Sequence, residues 1–216
     1  MFSTFQGDKM SVVIGIDEAG RGPAVGPLVV GIVQWNEPSL PEDLKLTDSK
    51  KMTPAQRRKT AEFIQKNCHY QTQHIPAYQI STSELPLQHL EARVIVATLK
   101  NFPAEIPVYA DALGSGHEAE NWVRWELPER EFHFSSGADE KYPAVSAASV
   151  MAKQERDAAL ENISSNWGEV GSGYPGDPKT ISWLENHFSE NKSWPAVVRE
   201  SWSTVSRVQK NIPLHP

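Results

Sequence analysis

Val12-Val13-Ile14-Gly15-Ile16-Asp17-Glu18-Ala19-Gly20-Arg21-Gly22-Pro23 runs an apolar strand straight into two acids and a glycine-flanked arginine. A bare carboxylate taken out of water costs several kcal/mol unless a cation or hydrogen bonds compensate it. A hydrophobic strand that ends in Asp17-Glu18 therefore points to something cationic seated there. Gly20 and Gly22 let the backbone turn sharply and approach a ligand, and they make the amides on either side of Arg21 available as donors. The combination reads as a metal site beside a turn that binds phosphate and sugar. The plainer alternative is a strand end whose acids are solvated and whose glycines only turn the chain. The theme returns at Ile106-Pro107-Val108-Tyr109-Ala110-Asp111, a second short apolar strand closing on an acid. Asp139, after Gly137-Ala138, is a further lone acid; its alternative role is to cap the helix that Pro143 opens.

The elements that must position these residues follow from periodicity. Val- and Ile-rich runs at 11–17 and 28–35 predict two strands, and the short glycine-rich link between them favours antiparallel pairing. Thr53 followed by Pro54 predicts a helix start and a helix to about residue 67, with Ala61 and Ile64 inward. A third strand is expected over 69–77, and a helix with an apolar stripe through Leu87, Leu90, Val94, Ile95, Ala97 and Thr98 to Leu99. Residues 118–125 read as a helix and 131–134 as a fifth strand. From Pro143 to about Ile163 a helix is expected whose Ser146, Ala147, Ala148, Ser149 and Ala152 are small enough for close approach to a sheet. Helices are also expected near 179–188 and 196–208, after the Gly- and Pro-broken stretch 171–178. Strands alternating with helices after an antiparallel opening predict an α/β mixed sheet flanked by helices. In such sheets ligands gather beyond the carboxyl ends of the strands, where Asp17 and Asp111 fall.

No run of eighteen apolar residues exists, and the first ten residues lack the basic and apolar regions of a signal peptide, so a cytoplasmic protein without membrane association is expected. The single cysteine, Cys68, has no internal partner, and no Cys or His spacing resembles a zinc site. The net charge of −6 runs against a polyanionic partner, unless several acids share bound cations that invert the local charge. Oxygen-only ligands favour Mg²⁺ or Mn²⁺ over zinc. Lys50, Lys51, Lys141, Lys153 and Arg156 are candidates for phosphate contacts, with solvated surface charge as the alternative.

Five blocks in order resemble ribonuclease HII, the type 2 ribonuclease H, in its archaeal-type form. They are Gly15-Ile16-Asp17-Glu18-Ala19-Gly20-Arg21-Gly22-Pro23, Asp48-Ser49-Lys50-Lys51, Tyr109-Ala110-Asp111, Ala138-Asp139 with Tyr142-Pro143-Ala144-Val145-Ser146-Ala147-Ala148-Ser149, and Gly171-Ser172-Gly173-Tyr174-Pro175. The resemblance implies a ribonuclease H-like fold with a five-stranded mixed sheet and a C-terminal helical region. It divides the chain into a tail at 1–10, a catalytic domain at 11–165 and a helical region carrying the tyrosine loop at 166–216. It further implies endonucleolytic cleavage of the RNA strand of RNA/DNA hybrids and incision 5′ of single ribonucleotides embedded in duplex DNA. Two-metal chemistry would leave 3′-hydroxyl and 5′-phosphate ends.

On that resemblance the metal acids are Asp17, Glu18, Asp111 and Asp139. The backbone-reading turn is Gly20, Arg21 and Gly22, and the junction-sensing residue is Tyr174; among the candidate phosphate contacts Lys50 is the one favoured as a substrate contact. A monomer is expected, and the ending Asn211-Ile212-Pro213-Leu214-His215-Pro216 does not form a clear replication-clamp motif. Two positions depart from the family pattern: Gly137 and Glu200 stand where a basic residue is usual, so weaker phosphate affinity is expected. A non-cutting binding module would lack one of the acids, and none is lacking. The type 3 enzyme would carry an additional N-terminal domain, for which about ten residues leave no room.

Overall fold

The computed structural model of the chain describes residues 12–38, 40–41, 44, 46, 52–114 and 116–212. These fall into two compact units. The first takes in the chain up to Ala19, Val29–Gln73 and Gln88–Gln154; the second takes in Gly20–Leu28, His74–Leu87 and the chain from Glu155 on. The tail predicted at 1–10 lies outside the described residues. No described helix is long and apolar enough to cross a membrane.

All but Leu28, His74 and Ile75 of a five-stranded sheet belong to the first unit: β1 (Val13–Ala19), β2 (Leu28–Trp35), β3 (His69–Ile75), β4 (Val108–Ala110) and β5 (Phe132–Phe134), in the order β3-β2-β1-β4-β5. β1 pairs antiparallel with β2 and parallel with β4, and β4 runs parallel with β5. Successive residues of a strand face opposite sides, so Ile14 and Ile16 enter one core while Gly15 and Asp17 face the other way. The Ile14 side packs with α3 (Leu87–Leu99) and α4 (Glu118–Glu126) through Ala92, Ile95, Leu99 and Val123. On the Gly15 side, α1 (Pro54–Asn67) and the first half of α6 (Pro143–Trp167) bury Ala61, Ile64, Ala144, Ala147, Ala148 and Met151. α6 lies so close that a Cβ on Gly15 would stand 2.0 Å from the carbonyl carbon of Ala144, and one on Gly31 2.4 Å from the Ala148 oxygen. The small-residue face anticipated for this helix thus meets two strand glycines.

The predicted start of α1 holds in detail. Thr53 Oγ1 accepts from the Gln56 amide at 3.2 Å, and Gln56 Oε1 accepts from the Thr53 amide at 2.9 Å. Four local readings need correction. β1 continues to Ala19, because its pairing with β2 extends to Ala19↔Val29. The third strand stops at Ile75, and Pro76 caps a short helix, α2 (Ala77–Thr82), where a strand end and a pre-helix turn were expected. A four-residue helix, α5 (Ala138–Lys141), precedes α6. The stripe on α3 runs through Ala92 and Val96, leaving Ala97 exposed.

The second unit has its own core of Ala24, Val25, Leu160, Ile163, Val170, Leu184, Val198, Val205 and Val208. It carries α7 (Pro178–Asn191), capped by Asp177, and α8 (Ser203–Asn211). The helix expected from residue 196 begins only at Ser203. The stretch before it pairs with the opening turn instead: the Arg199 amide donates to the Ala24 carbonyl and the Gly26 amide to the Val197 carbonyl, both at 2.8 Å. Long-range backbone pairing there overrides a helix-compatible sequence.

Candidate active site

Asp17 and Asp111 reach neighbouring positions because β1 and β4 are parallel and in register. Ile16 sits opposite Ala110, so each acid is the next residue along at the carboxyl end of its strand. Alternation puts both on the α6 side of the sheet and Glu18 on the other. Asp17 is 7% exposed, and the Ser149 hydroxyl of α6 hydrogen-bonds to it. Asp111 Oδ1 accepts from the amides of Ala112 and Gly137, each at 3.0 Å. Gly137 adopts a left-handed conformation, φ 64°, as it leads into α5, whose first turn carries the buried Asp139. The backbone that delivers Asp139 is thereby tied to the side chain of Asp111.

The carboxyl of Asp17 is held well above its ordinary range, first by burial and then by the negative charge of Glu18; the Ser149 hydroxyl and the Glu18 backbone oppose this, and the charge of Asp139 adds to it. A buried acid facing two like charges is one whose ionised form a bound cation stabilises most. The donor set is oxygen only, which fits a hard divalent ion. Among the described residues, no three His, Cys, Asp or Glu side chains are gathered closely enough to hold an ion as they stand.

Of the other predicted residues, Gly20, Arg21, Gly22, Arg156 and Tyr174 belong to the second unit, and Lys141 and Lys153 to the first. Gly20 has φ 96°, Gly22 is exposed, and a Cβ on Gly22 would lie 3.5 Å from Tyr174 Cε1, so the turn and the tyrosine are adjacent. Tyr174 is 43% exposed and lies over the Arg156 guanidinium at 5.1 Å. Its loop is pinned from below: Asp177 Oδ2 accepts from the Ser172 amide at 2.6 Å, and Thr180 Oγ1 accepts from the Gly173 amide at 3.0 Å. Arg156 is not an open phosphate contact. It is buried, donates to the Ser172 carbonyl at 3.0 Å, and its Nε would stand 2.6 Å from a Cβ on Gly20. Lys141 donates to the Ser136 carbonyl at 2.7 Å. Lys50 lies outside the described residues.

Sequence reasoning missed Arg199. It is completely buried and donates to the carbonyls of Gly20 (2.7 Å), Arg21 (3.0 Å) and Gly26 (3.0 Å). Trp202, 5.1 Å from the guanidinium by its ring, donates from Nε1 to the Gly22 carbonyl at 3.2 Å. The available signal was an arginine directly after the apolar Ala196-Val197-Val198, a place where a surface charge is not expected.

A family model described as Ribonuclease HII matches residues 14–205. Ribonuclease HII of Thermococcus kodakarensis is 39% identical over 209 residues, 93% of this chain and 90% of its own length. Among solved structures, ribonuclease H2 of Pyrococcus horikoshii superposes with a TM-score of 0.82 at 31% identity, covering 94% of this chain and 100% of that one. A structure described as the PCNA:RNase HII complex from Archaeoglobus fulgidus gives a TM-score of 0.76 at 28% identity, covering 89% of this chain and 95% of that one.

Proposed function

The chain belongs to the ribonuclease HII family of metal-dependent endoribonucleases, whose members cleave the RNA strand of RNA/DNA hybrids, and from that premise we infer that it also incises duplex DNA on the 5′ side of a single embedded ribonucleotide. The observation that carries the site assignment is the register of β1 and β4, which sets Asp17 beside Asp111, together with the charge of Asp139 acting on Asp17. Asp17, Glu18, Asp111 and Asp139 would hold two divalent ions, Mg²⁺ or Mn²⁺, which when bound supply charge neutralisation at the scissile phosphate and a more acidic water.

The remaining roles belong to the chain's own groups. Asp17, Glu18 and Asp111 would hold the ions, and Asp139 would complete the set and orient the attacking water. The backbone of Gly20, Arg21 and Gly22 reads the 2′-hydroxyl, the group that separates RNA from DNA at one position. Tyr174 packs on the sugar of the next nucleotide, where a deoxyribose fits better than a ribose. Lys50 contacts phosphate. Cleavage leaves a 3′-hydroxyl and a 5′-phosphate.

The test is one assay on a DNA duplex bearing a single ribonucleotide, with Mg²⁺, Mn²⁺ or chelator. Incision 5′ of the ribonucleotide is expected with either ion and none with chelator. Asp111→Asn is expected to lower kcat by about 10³-fold or more, on the scale of losing a group that stabilises the transition state. Tyr174→Ala is expected to lose the embedded-ribonucleotide substrate while retaining cleavage of a continuous hybrid. Full activity of Asp111→Asn in Mg²⁺ would falsify the metal assignment, and an unaltered substrate preference in Tyr174→Ala would refute the junction role.

A further inference from the structure

The buried guanidinium of Arg199 does something more specific than fill space. A trans peptide group points its carbonyl and its N–H in opposite directions, and no cis peptide occurs among the described residues. The Gly20 carbonyl shares its peptide plane with the Arg21 N–H, and the Arg21 carbonyl shares its plane with the Gly22 N–H. Both carbonyls are taken by Arg199, from Nη2 at 2.7 Å and from Nη1 at 3.0 Å. The N–H groups of Arg21 and Gly22 must therefore face away from Arg199. The next carbonyl, that of Gly22, is taken by Trp202, and its plane ends in Pro23, which has no N–H to present. Arg199 Nε, on the Gly26 carbonyl at 3.0 Å, anchors the fork to the far side of the same turn.

We propose that Arg199 is a positioning residue for ribonucleotide recognition: it locks the peptide planes of the turn so that the Arg21 and Gly22 amides are presented together as a fixed pair of donors for the sugar and phosphate oxygens of a ribonucleotide. This rests on the assignment of the turn to substrate reading. A flexible glycine turn otherwise samples both orientations of each peptide plane, because glycine accepts either sign of φ. A peptide flipped by half a turn would present a carbonyl where substrate needs a donor. The fork geometry matters: three carbonyls separated along a bend are matched by the spread donors of a planar guanidinium and not by one ammonium. Arg199→Lys therefore keeps the charge and loses the function.

The experiment uses the full chain, wild type and Arg199→Lys, with ¹⁵N labelling. Binding is measured in Ca²⁺ to an all-DNA duplex and to the same duplex carrying one ribonucleotide, and cleavage is measured in Mg²⁺. Expected for Arg199→Lys are amide hydrogen exchange at Arg21 and Gly22 changed by at least about tenfold and loss of the wild type's preference for the ribonucleotide duplex, with DNA binding retained. Cleavage is expected to fall about 10²-fold in kcat/KM, the scale of an ångström-level misplacement. Equal preference, equal cleavage and unchanged exchange would overturn the proposal. If the variant does not fold, the wild type alone decides: the Arg21 and Gly22 amide resonances must respond to the ribonucleotide duplex and not to the all-DNA one, and failure to do so overturns it. A wild type that cleaves neither substrate removes the functional reading of the turn; the exchange comparison then judges the peptide-locking role by itself, with unchanged exchange counting against it.

Discussion

At the scale of single residues, Asp17 sets the energetics of the site. Its folded-state carboxyl is raised above its ordinary 3.8 by burial and by Glu18 and Asp139. A raised folded value means that the stability linked to this group is present at low pH and is lost as pH rises through that value. Without added metal, Asp17→Asn is therefore expected to unfold at a higher temperature than wild type at pH 8, and the gap is expected to close on acidification. Each kcal/mol corresponds to about 2–4 °C in Tm for a chain of this length. Mg²⁺ or Mn²⁺ should raise the wild-type Tm and leave the variant nearly unmoved. Thermal unfolding in chelator and in metal checks both, and a variant less stable than wild type at pH 8 would sink the argument. Gly137 has a local role: its left-handed φ of 64° is one that glycine adopts freely, and its amide holds Asp111.

At the scale of elements, the acids are presented accurately because β1, β2 and α6 are in near backbone contact. A Cβ on Gly31 would meet the Ala148 oxygen at 2.4 Å and the Ala152 Cβ at 3.2 Å, so Gly31→Ala must push strand and helix apart. Overpacking of this kind costs about 1–3 kcal/mol and sometimes more. A fall in the urea midpoint at unchanged slope is the expected readout. Gly15→Ala, 2.0 Å from the Ala144 carbonyl carbon, should be worse and should also reduce cleavage, since α5 and Asp139 enter α6 at that point. Native-like stability in either variant would mean that the backbone spacing is not what holds the acids. Elements with local signals were legible beforehand, among them α1 from Thr53-Pro54 and the strands β1 and β2 from their Val and Ile runs. α2 and the late start of α8 were not, because a proline boundary in one case and pairing with residues 24–26 in the other outweighed local preference.

At the scale of the whole molecule, an acidic chain of net charge −6 has to bind a polyanion. Affinity for a hybrid duplex is expected to rise by about tenfold or more in Ca²⁺ over chelator, because bound ions reverse the local charge of the acidic centre. With so acidic a chain, the dependence of log K on log salt is expected to be shallow, roughly −2 to −4, corresponding to a few neutralised phosphates. Fluorescence anisotropy across a salt series measures both, and tight metal-free binding would contradict the first expectation.

The α/β alternation and the candidacy of Asp17, Glu18, Asp111 and Asp139, of the glycine turn and of the tyrosine loop were legible in the sequence alone, since residue type, strand period and motif order are properties of the linear chain. Only the tertiary structure decided that Asp17 lies beside Asp111, that Arg156 is a buried support under Tyr174, and that Arg199 grips a turn more than 170 residues earlier in the chain. Those outcomes depend on strand register and on which buried cation meets which carbonyl, and both are settled by packing between segments distant in sequence.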